Sequence, residues 1–344
     1  MNGVSYGLFA VGPVVMIDTP GLDDVGELGK MRVEKAYQVL QKTDIAIIVI
    51  DASIGETAED AAILAEIQKR SIPYIIVKNK ADLTQKQDGE NEIFVSAKTG
   101  ENISVLKERI AALAPKGEKE HRIIGDLLEP NDFVVLVVPI DSAAPKGRLI
   151  LPQQQTIRDI LEAGANAIVV RDSELQETLV SLGKRPRLVI TDSQIFGKVS
   201  KIVPEDIPLT SFSILMARYK GNLEQNVKGA RALEQLKNGD TVLISEGCTH
   251  HRQCEDIGTV KLPRWIREYT GKELQFQFTS GGTFPADLSP YALIVHCGGC
   301  MLNEKEMQHR LSIAKEQSAK MTNYGICIAY IHGILERSLA PLGL

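Results

Sequence analysis

The sequence predicts an α/β protein of three mainly parallel sheets with flanking helices, and three observations carry that reading. Short apolar runs rich in Val, Ile and Tyr alternate with helical patterns along the chain, as strands and their covering helices do in parallel sheets. At 344 residues the chain is too long for one ordinary domain. Two breaks, a run of Pro, Gly and charge at 114–120 and two prolines bracketing acidic residues at 203–208, divide it into segments 1–114, 122–207 and 209–344.

In the first segment the runs 14–17, 45–50, 74–77 and 93–95 read as strands, with helices over 58–69 and 103–113. The second has strands 133–138, 167–170 and 188–190 around helices 153–162 and 173–182, a small βαβαβ unit. Its core is modest and its sheet edges are open, so a homodimer formed through this segment is expected. The third repeats the alternation with strands 242–245, 274–278, 293–296 and 326–330, and helices near 230–236, 264–269 and 304–316.

Composition narrows the function classes. A net charge of −5 with both signs intermixed leaves no footprint for nucleic acid. No run approaches the roughly 20 apolar residues that span a bilayer, and the start has no secretory pattern, so a cytoplasmic protein without membrane contact is expected. All five cysteines, Cys248, Cys254, Cys297, Cys300 and Cys327, fall in the last hundred residues. In a reducing compartment that clustering points to metal ligation or redox chemistry.

The chemistry concentrates at two strand ends, Ser245-Glu246-Gly247-Cys248-Thr249-His250 and His296-Cys297-Gly298-Gly299-Cys300. Ligands collect beyond the carboxyl ends of parallel strands, so the two groups can converge. Two glycines between Cys297 and Cys300 let the backbone wrap a metal centre and aim amides at its sulfurs. Cys248, Cys297 and Cys300 are therefore the expected metal ligands, with iron–sulfur and zinc both open on residue chemistry. The fourth ligand is open among His250, His296, Cys254, Glu255 and solvent. Cys327 lies inside the apolar run 326–329 and reads as a packed core residue.

The first segment carries Asp18-Thr19-Pro20-Gly21, then Asn79-Lys80-Ala81-Asp82 and Ser96-Ala97-Lys98, each just after an apolar run. In this order they resemble the third, fourth and fifth motifs of GTP-binding domains of the translation-factor class. The resemblance implies Mg held through Asp18, the Gly21 amide at the terminal phosphate, Asn79 and Asp82 at the guanine edge, Lys80 along the base, the Ala97 amide at the guanine oxygen, and Ser96 among the GTP-binding residues. The phosphate-cradling loop G-x-x-x-x-G-K-[ST] has no counterpart in the chain, and without it GTP hydrolysis is not expected.

A GTPase-like first segment, a small central α/β segment, and Cys248-Thr249-His250 followed by His296-Cys297-Gly298-Gly299-Cys300 together resemble the FeFe-hydrogenase maturation factor (HydF) family. That resemblance implies a scaffold and carrier. It implies a 4Fe-4S cluster on Cys248, Cys297 and Cys300, an exchangeable fourth position, GTP as a regulator, and dimerisation through the central segment. The implied partners are radical-SAM maturases, which supply a di-iron precursor, and the FeFe-hydrogenase that receives it. Two competing readings are a GTPase with a redox-sensing cluster and a zinc-stabilised interaction module.

Overall fold

The computed structural model describes residues 4–8, 12–19, 39–84, 89–114, 122–140, 149–247 and 256–344, with side chains from Val14 onward. The chain forms two compact units, residues 1–119 and 120–344.

In the first unit β1 (Val4–Leu8) and β2 (Gly12–Met16) form an antiparallel pair of their own, with Val4 opposite Met16. The run expected as a parallel strand at 14–17 is therefore half of a hairpin. Only three residues separate the two strands, whereas a parallel crossover needs a dozen or more. β3 (Ala46–Asp51), β4 (Tyr74–Asn79) and β5 (Glu92–Phe94) form a parallel sheet in that order, as expected.

Helix α1 (Ala58–Lys69) starts at a capping box: the Asp60 amide donates to Thr57 Oγ1 (3.2 Å) and the Thr57 amide to Asp60 Oδ2 (3.0 Å). It lays Ile63 and Ile67 on Ile48, Ile50 and Ile76. Helix α2 (Ile103–Leu113) covers the other face, setting Ile103, Leu106 and Ile110 on Ile75, Val77 and Ile93. Its reach ends before β3, which leaves Val49 62 % exposed on that face.

The second unit holds two parallel four-stranded sheets. In the first, β6 (Phe133–Val137), α3 (Leu151–Glu162), β7 (Asn166–Val170), α4 (Leu175–Ser181), β8 (Leu188–Thr191), α5 (Phe196–Ile202) and β9 (Leu209–Ser211) follow one another, with strand order β7-β6-β8-β9. This sheet runs past the expected break near 207, because Leu209, Thr210 and Ser211 pair with Val189, Ile190 and Thr191. β9 thereby covers one edge of the expected three-stranded unit. It leads directly into α6 (Phe212–Tyr219), whose N-terminus is capped by Ser211, and then α7 (Leu223–Ala230).

The second sheet repeats the plan with β10 (Thr241–Ser245), α8 (Leu262–Thr270), β11 (Gln275–Thr279), β12 (Leu293–His296), α9 (Glu304–Glu316) and β13 (Met321–Asn323), in the order β11-β10-β12-β13. Here too the fourth strand runs into a capped helix, α10 (Tyr324–Ile331), where Asn323 Oδ1 accepts the Ile326 amide (2.8 Å). Both helices are followed by a left-handed glycine, Gly221 (φ 70°) and Gly333 (φ 68°). They cross closely, and the Gly325 amide donates to Ser213 Oγ (3.2 Å). A β-carbon on Gly325 would lie 2.6 Å from that of Ser213.

The expected strand at 326–330 is thus the middle of α10. Its β-branched, wholly apolar run is buried on every side, so no periodicity distinguishes helix from strand. One continuous core joins the sheets, from Val135 and Val189 through Leu209 and Ile214 to Val242, Val295 and Ile328. A last helix, α11 (Leu335–Leu339), seals it. From α11, Arg337 reaches back across the 203–208 segment, donating to the carbonyls of Ser200 (3.1 Å), Val203 (2.9 Å), Pro204 (2.6 Å) and Ile207 (3.3 Å).

Candidate metal centre and nucleotide site

β10 and β12 are parallel neighbours, with Ser245 opposite His296, and the Cys297 amide donates to the Ser245 carbonyl (2.9 Å). β10 connects outward to β11 on one side and β12 to β13 on the other. The cysteine segments therefore leave the sheet where the strand order reverses, the place at which open α/β sheets bind ligands. Cys248, His250, Cys254 and Glu255 lie outside the described residues, so the site is seen from its Cys297–Cys300 side.

Cys297 Sγ accepts two backbone N–H bonds, from Gly247 (3.0 Å) and Gly299 (3.3 Å). Such donors suit a thiolate or metal-bound sulfur. Gly299 adopts φ 61°, and a β-carbon there would press on Met307 Sδ at 3.2 Å. At Gly247 a β-carbon would lie 2.7 Å from Leu302 Cγ. Cys300 is half-buried, and burial raises its thiol pKa while Lys220 pulls it down. Met301, next along, is 65 % exposed. Cys327 is different in kind, fully buried in the apolar core with its thiol pushed up to about 12 by burial alone.

His296 is fully buried, and both ring nitrogens are engaged: Nδ1 with the Cys297 carbonyl (2.7 Å) and Nε2 with Arg310 Nη1 (2.9 Å). A carbonyl on one side and a guanidinium on the other define a neutral ring protonated at Nδ1. Burial first, then Arg310, holds its pKa at about 3. Arg310 also donates to the Gly281 carbonyl and to Glu306 Oε1, both at 2.8 Å. On the β10 side Glu246 is buried, and the Tyr324 hydroxyl donates to its Oε1 (3.3 Å).

Sequence reasoning missed Lys220, which is buried under the cysteine loop. Its Nζ donates to the carbonyls of Gly299 and Leu302. Burial lowers its pKa, while Cys300 and Cys297 act to raise it again. A lone lysine after an apolar helix carries no signal of this. Arg310 did carry one, since it sits on the same helical stripe as buried Met307, Leu311 and Ala314.

Among the described residues no group of three or more His, Cys, Asp or Glu is arranged to hold a metal ion. Cys297 and Cys300 offer two soft sulfurs beside the end of β10, whose chain runs on toward Cys248 outside the described residues. The donor set fits a thiolate-ligated iron–sulfur cluster: soft sulfurs, amides aimed at one of them, and a buried cation beside them.

In the first unit the structure gathers most of the expected nucleotide residues. Asn79 ends β4, and its Oδ1 accepts the Ala97 amide (3.0 Å). Ser96 Oγ donates to Asp82 Oδ1 (2.7 Å), and the Ala81 amide donates to the Val95 carbonyl (3.0 Å). The two motif loops are thus locked together. Lys80, at φ 68°, pairs with Asp51 at the end of β3 (2.5 Å). Asp18 follows β2 and is exposed. Gly21 lies outside the described residues.

Two family models match the second unit: the hydrogen maturase F dimerization domain over residues 123–221 and the hydrogen maturase F tetramerization domain over residues 224–341. The chain belongs to the hydrogen maturase F family. Its two sheets correspond to the regions through which hydrogen maturase F self-associates, and residues 4–80 match the 50S ribosome-binding GTPase family model. Both the expected family and the GTPase-like start are thereby borne out.

Among curated relatives, the tRNA modification GTPase MnmE of Laribacter hongkongensis is 32 % identical over 116 residues, 31 % of this chain and 26 % of that protein. The MnmE of Prochlorococcus marinus is 30 % identical over 123 residues, 33 % of this chain and 26 % of that protein. The chain thus spans about a quarter of the length of these relatives. Among the described residues no helix is long and apolar enough to cross a membrane.

Proposed function

We propose that this hydrogen maturase F protein is a scaffold and carrier in FeFe-hydrogenase maturation. Cys248, Cys297 and Cys300 hold a 4Fe-4S cluster, and one position is left for an exchangeable ligand. Its cargo is a di-iron precursor received from radical-SAM maturases and handed to the apo-hydrogenase. The observation that carries this reading is the Cys297–Cys300 loop at the strand-order reversal, with two amides aimed at Cys297 Sγ.

A cluster bound there supplies an iron whose ligand can be exchanged for a group on the cargo. The chain's own residues set the stage for it. The amides of Gly247 and Gly299 offset charge on Cys297, and Arg310 fixes His296, whose ring holds the Cys297 carbonyl. With both nitrogens so engaged, His296 acts as a support, and the fourth position falls to His250, Glu255 or solvent. In the first unit the joined loops of Asn79, Asp82, Ser96 and Ala97 suit a guanine edge, and Asp18 suits Mg. A guanine nucleotide held there would regulate partner contact. Functionally the reading keeps a GTPase-like region, a dimerisation region and a cluster-binding region, in a cytoplasmic homo-oligomer.

The test is Cys297→Ser in an anaerobic hydrogenase-maturation assay. Maturation is expected to be lost while the first unit stays folded. Full maturation by the variant would overturn the scaffold reading, and a colourless, stoichiometrically zinc-loaded protein purified anaerobically would overturn the cluster. Exogenous imidazole should alter the electron paramagnetic resonance signal of reconstituted protein. An unchanged signal excludes an exchangeable position.

A further inference from the structure

We propose that Lys220 is the built-in counter-charge of the cysteine site, tying down the 297–302 loop and stabilising the negative charge that thiolate ligation brings there. The inference rests on the cluster reading above.

Lys220 ends α6 as its C-terminal cap, and α6 issues from the first sheet, yet the lysine side chain ends under the cysteine loop of the second. It is only 6 % exposed, and Nζ donates to the carbonyls of Gly299 and Leu302, the latter at 3.0 Å. Its backbone is held at both polar atoms. The amide donates to the Met216 carbonyl (3.0 Å), and Gln308 Nε2 donates to the Lys220 carbonyl (2.8 Å). Two residues earlier, Arg218 anchors the helix through the carbonyls of Arg122 and Ile123, both at 3.0 Å. The ammonium is therefore placed, not swept in.

Among the described residues no carboxylate comes within ion-pair distance of Nζ, so two neutral carbonyls are its partners there. A buried cation so held carries a large desolvation cost unless an anion stands nearby. The Gly299 carbonyl it holds lies between Cys297 and Cys300, so thiolate ligation at those two cysteines would place negative charge beside it. The equivalent position in the repeated plan makes the contrast. α10 is capped at His332, whose ring lies against Gly197, where the first sheet has no cysteine. The buried ammonium is particular to the side that bears thiols.

A cluster on three thiolates becomes more negative on reduction, so a fixed cation beside it favours the reduced state. Removing that cation should lower the midpoint potential. The experiment compares wild-type, Lys220→Met and Lys220→Arg full-length proteins after anaerobic reconstitution with iron and sulfide. The readouts are iron and sulfide content, circular dichroism and an electron paramagnetic resonance redox titration. Lys220→Met is expected to disfavour reduction by about tenfold, about 59 mV for a one-electron couple, while Lys220→Arg stays within about threefold of wild type.

A folded, fully loaded Lys220→Met protein with the wild-type potential overturns the inference and leaves the cluster reading standing. A wild-type protein that takes up no cluster overturns both. Loop tying alone would lower thermal stability and leave the potential unmoved. If Lys220→Met does not fold, Lys220→Gln makes the same comparison, since it keeps a donor and loses the charge. A folded neutral variant that takes up no cluster, beside a fully loaded Lys220→Arg, supports the charge requirement at the stage of assembly.

Discussion

Replacing Arg310 with methionine should destabilise the second unit by about 3–5 kcal/mol, the usual cost of breaking a buried charged network from one side. Arg310 is 1 % exposed and serves three acceptors: His296 Nε2 at 2.9 Å, the Gly281 carbonyl at 2.8 Å and Glu306 Oε1 at 2.8 Å. Its guanidinium also lies 5.2 Å from the centre of the Phe284 ring. Methionine keeps much of the volume and none of the donors. Each orphaned acceptor costs about 1–3 kcal/mol, and the terms overlap because Glu306 can turn toward water. With a urea slope of about 2–3 kcal/mol/M, the unfolding midpoint should fall by roughly 1–2.5 M, read by circular dichroism on the whole chain. His296→Leu and the double variant complete the cycle. Because the two side chains are directly bonded, the double variant should cost less than the sum of the singles, by about 0.5–3 kcal/mol. A loss under about 1 kcal/mol for Arg310→Met, or strict additivity, would refute the view that Arg310 holds the imidazole beside the cysteine loop.

Two further outcomes test the frame around the sites. Gly229→Ala in α7 should lower the urea midpoint, because the added β-carbon would be driven into the Met321 carbonyl of β13. Overpacking costs about 1–3 kcal/mol and outweighs the helix-propensity gain of about 1 kcal/mol. A midpoint at or above wild type contradicts that close approach. In the first unit, Lys80 and then Ser53 hold the Asp51 carboxyl at about 2, below its usual 3.8. A carboxylate depressed in the folded state adds stability above its unfolded pKa and loses it as pH falls toward about 2. Lys80→Met should therefore move the Asp51 carbon titration upward, part of the way to 3.8, in an NMR experiment. An unmoved titration would show that Ser53 alone sets it.

Much of this was legible in the residues themselves. The helices at 58–69, 103–113 and 304–316 and the strand at 293–296 stand where their patterns place them, because each has a clear apolar face or a short β-branched run with turn residues behind it. The meeting of the Gly247 and Cys297 segments followed from the rule for parallel strand ends. Three things were hidden, each decided by tertiary contact. Tyr324–Ile331 is a helix because Asn323 caps it and the core surrounds it. Leu209–Ser211 is a strand because β8 offers an edge. Lys220 belongs to the cysteine site because a helix from the neighbouring sheet delivers it there.

The grip of Arg337 on the 203–208 segment ties folding to the order of synthesis. Its bond to the Pro204 carbonyl spans 133 residues of chain. At about 5–20 residues per second, a ribosome needs roughly 7 to 27 s between making the two ends. Through that interval the carbonyls of Val203, Pro204 and Ile207 wait for their donor, and the apolar stripe of α11 has yet to seal the core. The cysteine loop, too, is made before α11, while the core beside it still lacks that helix. The second unit thus closes its core only when Leu335 and Leu339 of α11 are in place, well after the 203–208 segment they cover has been made.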